Sequence, residues 1–286
     1  MDFLEELEER VLCGDGAMGT LLLADGIPLT RCFEELCVSE PDRIRRIHED
    51  YIGAGARVIE TNTFGANAVR LERFGLEGRL AEINRAGVEV ARKAAGGQSV
   101  YVAGSVGPLG IDAEEATARG IDREQCFREQ ITALLEAGVE IIFFETFMDA
   151  DEMEIAFRAK KELSNIPGIC SFACDPGAQL VSGVSLADAF NRLRALGATS
   201  VGANCLNDPD GMLQLLEHLP GRHSVVVYPT AGQPQCREGT YVYPKAPEAF
   251  ATRVREMVVA GARLIGGCCG TTPNHIAALS AAMSKL

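Results

Sequence analysis

Cys205 stands alone in the segment GANC, and 63 residues later Cys268 and Cys269 sit side by side in GGCCG. Three thiolates are a good ligand set for Zn²⁺, which favours tetrahedral sulfur and nitrogen coordination. The spacing is not that of a structural zinc site, because it contains no CxxC pair. Adjacent residues of an extended strand point to opposite faces, so Cys268 and Cys269 reach one ion only if the backbone turns between them. Gly266, Gly267 and Gly270 give the chain that freedom. The alternative reading is three buried cysteines acting as small apolar side chains. As a metal site, three cysteines leave one coordination position open, as catalytic zinc does. A substrate thiol entering that position is deprotonated and stays nucleophilic, which points to thiol alkyl transfer.

Two carboxylates are placed to hold the rest of such a substrate. Glu145 follows the apolar run Ile141-Ile142-Phe143-Phe144. A carboxylate at the end of a buried strand needs a partner, either a structural ion pair or the ammonium group of a substrate. Asp15 in GDGAMGT carries the same two readings, with a turn as its plainer role. The amides of Gly16, Ala17 and Met18 can cradle a carboxylate, as glycine-rich turns do. Together these groups describe a pocket for an amino acid bearing a thiol. The four histidines add little: His48, His218 and His223 read as surface residues, and His275 as structural within TTPNH.

Eight short apolar runs must carry these groups. They lie at Val11–Cys13, Arg57–Ile59, Val100–Ala103, Glu140–Phe144, Ile169–Ala173, Ser200–Ala203, Ser224–Tyr228 and Arg263–Ile265, recurring about every 36 residues. Runs of this kind suit a parallel sheet buried on both faces. Helical periodicity fills the intervals: Leu80, Ile83, Gly87 and Val90; Phe127, Ile131, Leu134 and Leu135; Met212, Leu215, Leu216 and Leu219; Phe250, Val254, Met257 and Val258. Asp122, Ser39 and Thr272 are candidate helix caps, with Pro273 suited to the first helical position. Glycines at 55, 138, 197 and 261 each join a helix to the next strand. The pattern predicts an α/β fold, a single-domain (β/α)8 barrel over residues 1–286, with residues 1–10 forming a helix ahead of strand one. The runner-up is an open doubly wound sheet. Gly14, Gly16 and Gly19 do not keep its dinucleotide spacing, and Glu60 alone is weak support for a ribose contact. In a barrel, function sits at the C-terminal strand ends, where Asp15, Glu60, Asn62, Ser105, Glu145, Cys205, Thr230, Cys268 and Cys269 all fall.

Composition narrows the class further. The chain has 286 residues, 47 % hydrophobic and 23 % charged, with a net charge of −13. That balance is globular, and it disfavours a basic groove for nucleic acid. No apolar run approaches the roughly 18–20 residues of a membrane span. The acidic N-terminus is not a signal peptide, so a cytoplasmic, reducing setting is expected and the ten cysteines should be thiols or metal ligands, not a disulfide framework. Seven of them, Cys13, Cys32, Cys37, Cys126, Cys170, Cys174 and Cys236, are expected to be ordinary reduced thiols.

The motifs GDGAMGT (14–20), ETNTFGAN (60–67), GSVGP (104–108), FFETF (143–147), GANC (202–205), YPTAG (228–232) and GGCCGTTPNHI (266–276) span nearly the whole chain in order. In them the chain resembles the homocysteine S-methyltransferase family, most nearly the homocysteine-binding barrel of cobalamin-dependent methionine synthase. The resemblance implies zinc held by Cys205, Cys268 and Cys269. It implies a homocysteine amino group held by Glu145 and Asp15, with turn amides near Ala17, Met18 and Ser105 placing the carboxylate, and Asn62 among the substrate contacts. Cobalamin-type barrels usually have asparagine where this chain has Thr230. That asparagine can be the displaceable fourth zinc ligand, so Thr230 or water would take its place here. The implied methyl donor is methylcobalamin on a corrinoid protein or module. The barrel fills the chain, so that donor is expected outside it. S-methylmethionine or betaine is the alternative donor, and a non-catalytic zinc barrel binding a thiol or a corrinoid protein is the alternative role. A betaine site would need an aromatic cage, and the chain has no tryptophan and five tyrosines.

Overall fold

In the computed structural model, which describes residues 2–217, 219, 224–237 and 240–286, every one of the eight runs is a strand. These are β1 (Leu12–Cys13), β2 (Val58–Glu60), β3 (Tyr101–Val106), β4 (Ile141–Phe147), β5 (Gly168–Phe172), β6 (Ser200–Asn204), β7 (Val225–Tyr228) and β10 (Ala262–Ile265). A short antiparallel hairpin, β8 (Gln235–Arg237) with β9 (Thr240–Val242), is inserted after β7. The sheet order is β1-β10-β7-β6-β5-β4-β3-β2, with all pairs parallel. A bridge from Gly14 to Val58 joins the first strand to the last. The fold is thus a (β/α)8 barrel, and its active face is set by strand polarity.

Alternation along the strands sorts side chains between two cores. Leu12, Val58, Ala103, Ile141, Phe143, Ile169, Val226, Tyr228 and Leu264 fill the barrel interior. Their neighbours, among them Cys13, Ile59, Val102, Ile142, Phe144, Cys170, Val201, Val227 and Ile265, face outward onto the helices. The helix Phe3–Glu9 closes the N-terminal end, inserting Phe3 and Leu7 into the inner core. Its Glu6 is buried, which works against its charge. Hydrogen bonds from Tyr101, Arg57 and Arg10 outweigh this and hold it below the ordinary carboxylate value.

The helix-to-strand joints have the expected geometry. Gly55, Gly138, Gly197 and Gly261 all take positive φ, between 88° and 109°, where a side chain would be strained. Asp122 caps its helix by accepting from the Gln125 amide, and Thr272 forms a capping box with His275 behind Pro273. Ser39 does not cap. It ends the short helix Leu36–Ser39, and Glu40 holds the N-cap position of Pro41–Gly53. His48 is a second correction. It lies on the inner side of Pro41–Gly53 with no exposure, and burial lowers its pKa to about 4, so it is neutral. His218 and His223 lie outside the described residues. No helix among the described residues is long and apolar enough to cross a membrane.

Candidate active site

A cavity of about 430 Å³ opens at the C-terminal strand ends. Cys205, Cys268 and Cys269 line one side of it, and Asp15, Glu60 and Glu145 line another. The ligand atoms of the three cysteines lie within 4.8 Å of one another, and Cys269 Sγ is 3.8 Å from Cys205 and 4.0 Å from Cys268. The backbone turns beside each part of the cluster, with Gly270 at φ 79° directly after the vicinal pair. Cys205 and Leu206 both sit in the left-handed region, at φ 56° and 53°, directly after β6. Such positions cost about 1–3 kcal/mol each and persist where surrounding contacts over-determine them. Cys268 is fixed by its amide to the Pro229 carbonyl, and Cys269 by its carbonyl to the Ala231 amide.

One expectation is not met. Cys205 and Cys268 are joined by a disulfide, where the sequence reading makes all three cysteines zinc ligands and disfavours disulfides. The physical reason is proximity: a cluster tight enough to share an ion, with Cα atoms 5.5 Å apart, is also within reach of a disulfide. The remaining eight cysteines are free. Reduced, the three sulfurs offer a soft, closely spaced donor set that fits a metal of zinc type.

The carboxylates are more numerous than the sequence reading allowed. Asp15 is 4 % exposed, and its Oδ2 accepts from the Glu60 amide at 2.8 Å. Glu145 accepts from the Ser105 hydroxyl and is hydrogen-bonded to Glu60. Burial holds all three carboxyls above their ordinary values. Mutual repulsion adds to this for Asp15 and Glu60, and hydrogen bonds from Ser105 and Glu60 partly offset it for Glu145. From the sequence Glu60 is only a weak ribose contact; the structure makes it a member of the carboxylate group lining the cavity. Its signal was the one that singled out Glu145, a glutamate ending an apolar run.

Asn204 positions the Glu145 segment. Its Oδ1 accepts from the Thr146 amide (2.9 Å) and the Ser171 hydroxyl (2.8 Å), and its Nδ2 donates to Thr146 Oγ1 (2.6 Å). Thr146 has φ 61°, and the register of β4 on β5 shifts there. Asn204 thus staples a strained step beside Glu145 and extends to Cys268 Sγ at 3.9 Å. Tyr228 crosses the ring inside the barrel. A Cβ on Gly14 would stand 2.0 Å from its hydroxyl oxygen, so only glycine fits there.

Several expected contacts are already committed within the chain. The Ser105 amide donates to Thr61 Oγ1 (3.1 Å) and the Ala17 amide to Thr271 Oγ1 (3.0 Å), so neither is available to a substrate carboxylate. Among the described residues, the Gly16 and Met18 amides have no acceptor within the chain, and both residues line the cavity. Asn62 lines it too, but its Nδ2 donates to the Phe33 carbonyl at 2.7 Å. Thr230 is not among the lining residues. Its hydroxyl donates to the Gly232 carbonyl at 3.1 Å, within its own loop. Phe33, Phe64, Glu34 and Tyr243 also line the cavity.

A sequence profile described as homocysteine S-methyltransferase matches residues 12–283. The chain is 31 % identical to methionine synthase of Mycobacterium tuberculosis, an alignment covering all of this chain and 26 % of that protein. It therefore spans about a quarter of the length of the curated relatives it matches. Among solved structures it is similar to the homocysteine methyltransferase MmuM from Escherichia coli. The oxidized form superposes with a TM-score of 0.79 at 30 % identity, covering 96 % of this chain and 97 % of that one. The metallated form gives the same TM-score at 29 % identity, covering 96 % of each.

Proposed function

The chain belongs to the homocysteine S-methyltransferase family, and from that premise we propose that it methylates the thiol of homocysteine to give methionine, using zinc held by Cys205, Cys268 and Cys269. The observation that carries the reading is one cavity with a three-sulfur cluster on one wall and three buried carboxyls on another. Bound zinc supplies Lewis acidity, which keeps a substrate thiol in its thiolate form at neutral pH. Glu145 and Asp15 receive the ammonium group, and its positive charge offsets the burial that raises both carboxyls and the repulsion that adds to it at Asp15. Glu60 steadies both, through its amide to Asp15 and its side chain to Glu145. The Gly16 and Met18 amides receive the substrate carboxylate. The substrate sulfur then attacks in line. A sulfur–carbon bond forms as the donor–carbon bond breaks, and the demethylated donor leaves with the electron pair of that bond. No residue need act as a base during transfer, because the thiol proton has left at binding. A reducing, cytoplasmic setting belongs to this reading, since it keeps the cluster as thiols.

Methylcobalamin presented by a corrinoid protein or module is the proposed donor. Its support is the likeness over the whole chain to methionine synthases. A small cationic donor, S-methylmethionine or betaine, is the second reading, favoured by Phe33, Phe64 and Glu34 on the cavity wall. The Arg70 guanidinium, 5.0 Å from the Phe64 ring centroid, already engages that ring. Methionine formation from homocysteine should be measured with the reduced, zinc-loaded chain and each donor in turn. The expected result is turnover with methylcobalamin that exceeds that with S-methylmethionine or betaine. The reverse order would assign the small cation. No methionine with any donor would leave a binding protein.

A further inference from the structure

The segment between β7 and the helix Pro247–Phe250 leaves the barrel as the hairpin and returns across the cysteine cluster. The return is pinned within two residues of Tyr243. The Lys245 amide donates to the Ala231 carbonyl at 2.9 Å, and the Lys245 carbonyl lies 2.9 Å from His275 Nε2. Lys245 Nζ pairs with Asp208 at 2.9 Å and Asp210 at 2.7 Å. The Ala231 amide in turn donates to the Cys269 carbonyl, so the same loop is tied to the cluster's backbone. On its other side the Tyr243 ring lies on Gly270, where a Cβ would stand 2.0 Å from its Cγ. Gly270 also has φ +79°. The glycine that follows the vicinal cysteines therefore has a second purpose, which is to admit this ring.

We propose that Tyr243 is a positioning residue for the cysteine cluster: its phenol donates a hydrogen bond to the Cys269 sulfur, and its ring is held for this by its seat on Gly270. The hydrogen bond joins the two side chains directly, and both line the cavity. A donor to a metal-ligating sulfur orients it and draws charge from it. Outer partners of metal ligands typically change metal affinity by about 10–100-fold when removed. The inference rests on the metal reading above and adds a residue that reading does not use.

The test compares the reduced wild-type chain with Tyr243→Phe, which keeps the ring and removes only the hydroxyl. Co²⁺ is the probe. Its Kd is read by competition with a chelating dye, and the thiolate-to-cobalt charge-transfer band by absorption. The expected result is a Kd weakened roughly tenfold or more and a displaced band, with an unchanged circular dichroism spectrum. A Kd within about twofold of wild type together with an unmoved band would overturn the role of Tyr243 alone. A wild-type chain showing neither Co²⁺ binding nor a thiolate band would overturn the metal reading, and this inference with it.

Discussion

Cys268→Ala and Cys269→Ala should each abolish stoichiometric metal retention and lower homocysteine methylation by about a thousandfold or more, several kcal/mol of lost activation. The three sulfurs lie within 4.8 Å of one another, and no other group of His, Cys, Asp or Glu among the described residues forms such a cluster. Removing one leaves two sulfur ligands where zinc sites in proteins use three or four protein ligands. The loss should fall on kcat/KM with the circular dichroism spectrum unchanged, because both residues follow β10 and are only partly buried, Cys268 touching the inner core at its edge. Cys236→Ala is the control. Cys236 is exposed and free, and its variant should match wild type in zinc content and rate. Metal analysis and a methionine assay on reduced protein decide both points.

Glu145→Gln is expected to trade activity for stability. Losing one partner of a buried charge pair costs about 3 kcal/mol or more, roughly a hundredfold in kcat/KM, carried mainly by KM for homocysteine. The stability effect has the opposite sign. The Glu145 carboxyl is held above its ordinary value, chiefly by burial, and Asp15 and Glu60 beside it are raised as well. Between the ordinary value of 4.5 and the raised one, the folded chain binds more protons than the unfolded chain. Stability therefore falls as pH rises through that window. Gln removes this contribution, so the substrate-free variant should melt at a higher temperature than wild type at neutral pH, and the difference should vanish below the ordinary value. Thermal denaturation across pH, beside KM at neutral pH, reads both effects. A variant with unchanged KM and unchanged Tm would contradict the assigned charge.

The fold was legible because its signal is repeated. Eight apolar runs with four glycine joints give the same answer eight times, so errors of one residue at the start and three at the end of β3 and β4 do not change the topology. The cysteines were legible because thiols at the ends of β6 and β10 must meet once the barrel closes. What escaped depends on contacts distant in sequence. Glu60 becomes a site residue only when β2 brings it to Glu145 on β4. Tyr243 follows a hairpin of three-residue strands, too short to carry a periodic signal. The Ala17 and Ser105 amides looked available because their acceptors, Thr271 and Thr61, lie 254 and 44 residues away. His48 was misread because a histidine in a charged helix looks solvated, and its burial is fixed by the surrounding helices and strands. The same proximity that makes the cysteines a ligand set also permits the Cys205–Cys268 disulfide.

In the proposed function, zinc on these three cysteines is what makes homocysteine reactive, and removing and restoring the metal tests this directly. The chain is reduced, stripped with a chelator and assayed for methionine formation from homocysteine, then assayed again after titration with Zn²⁺. The expected result is no turnover in the stripped protein and full recovery at one zinc per chain. Turnover that survives complete removal of the metal would contradict it.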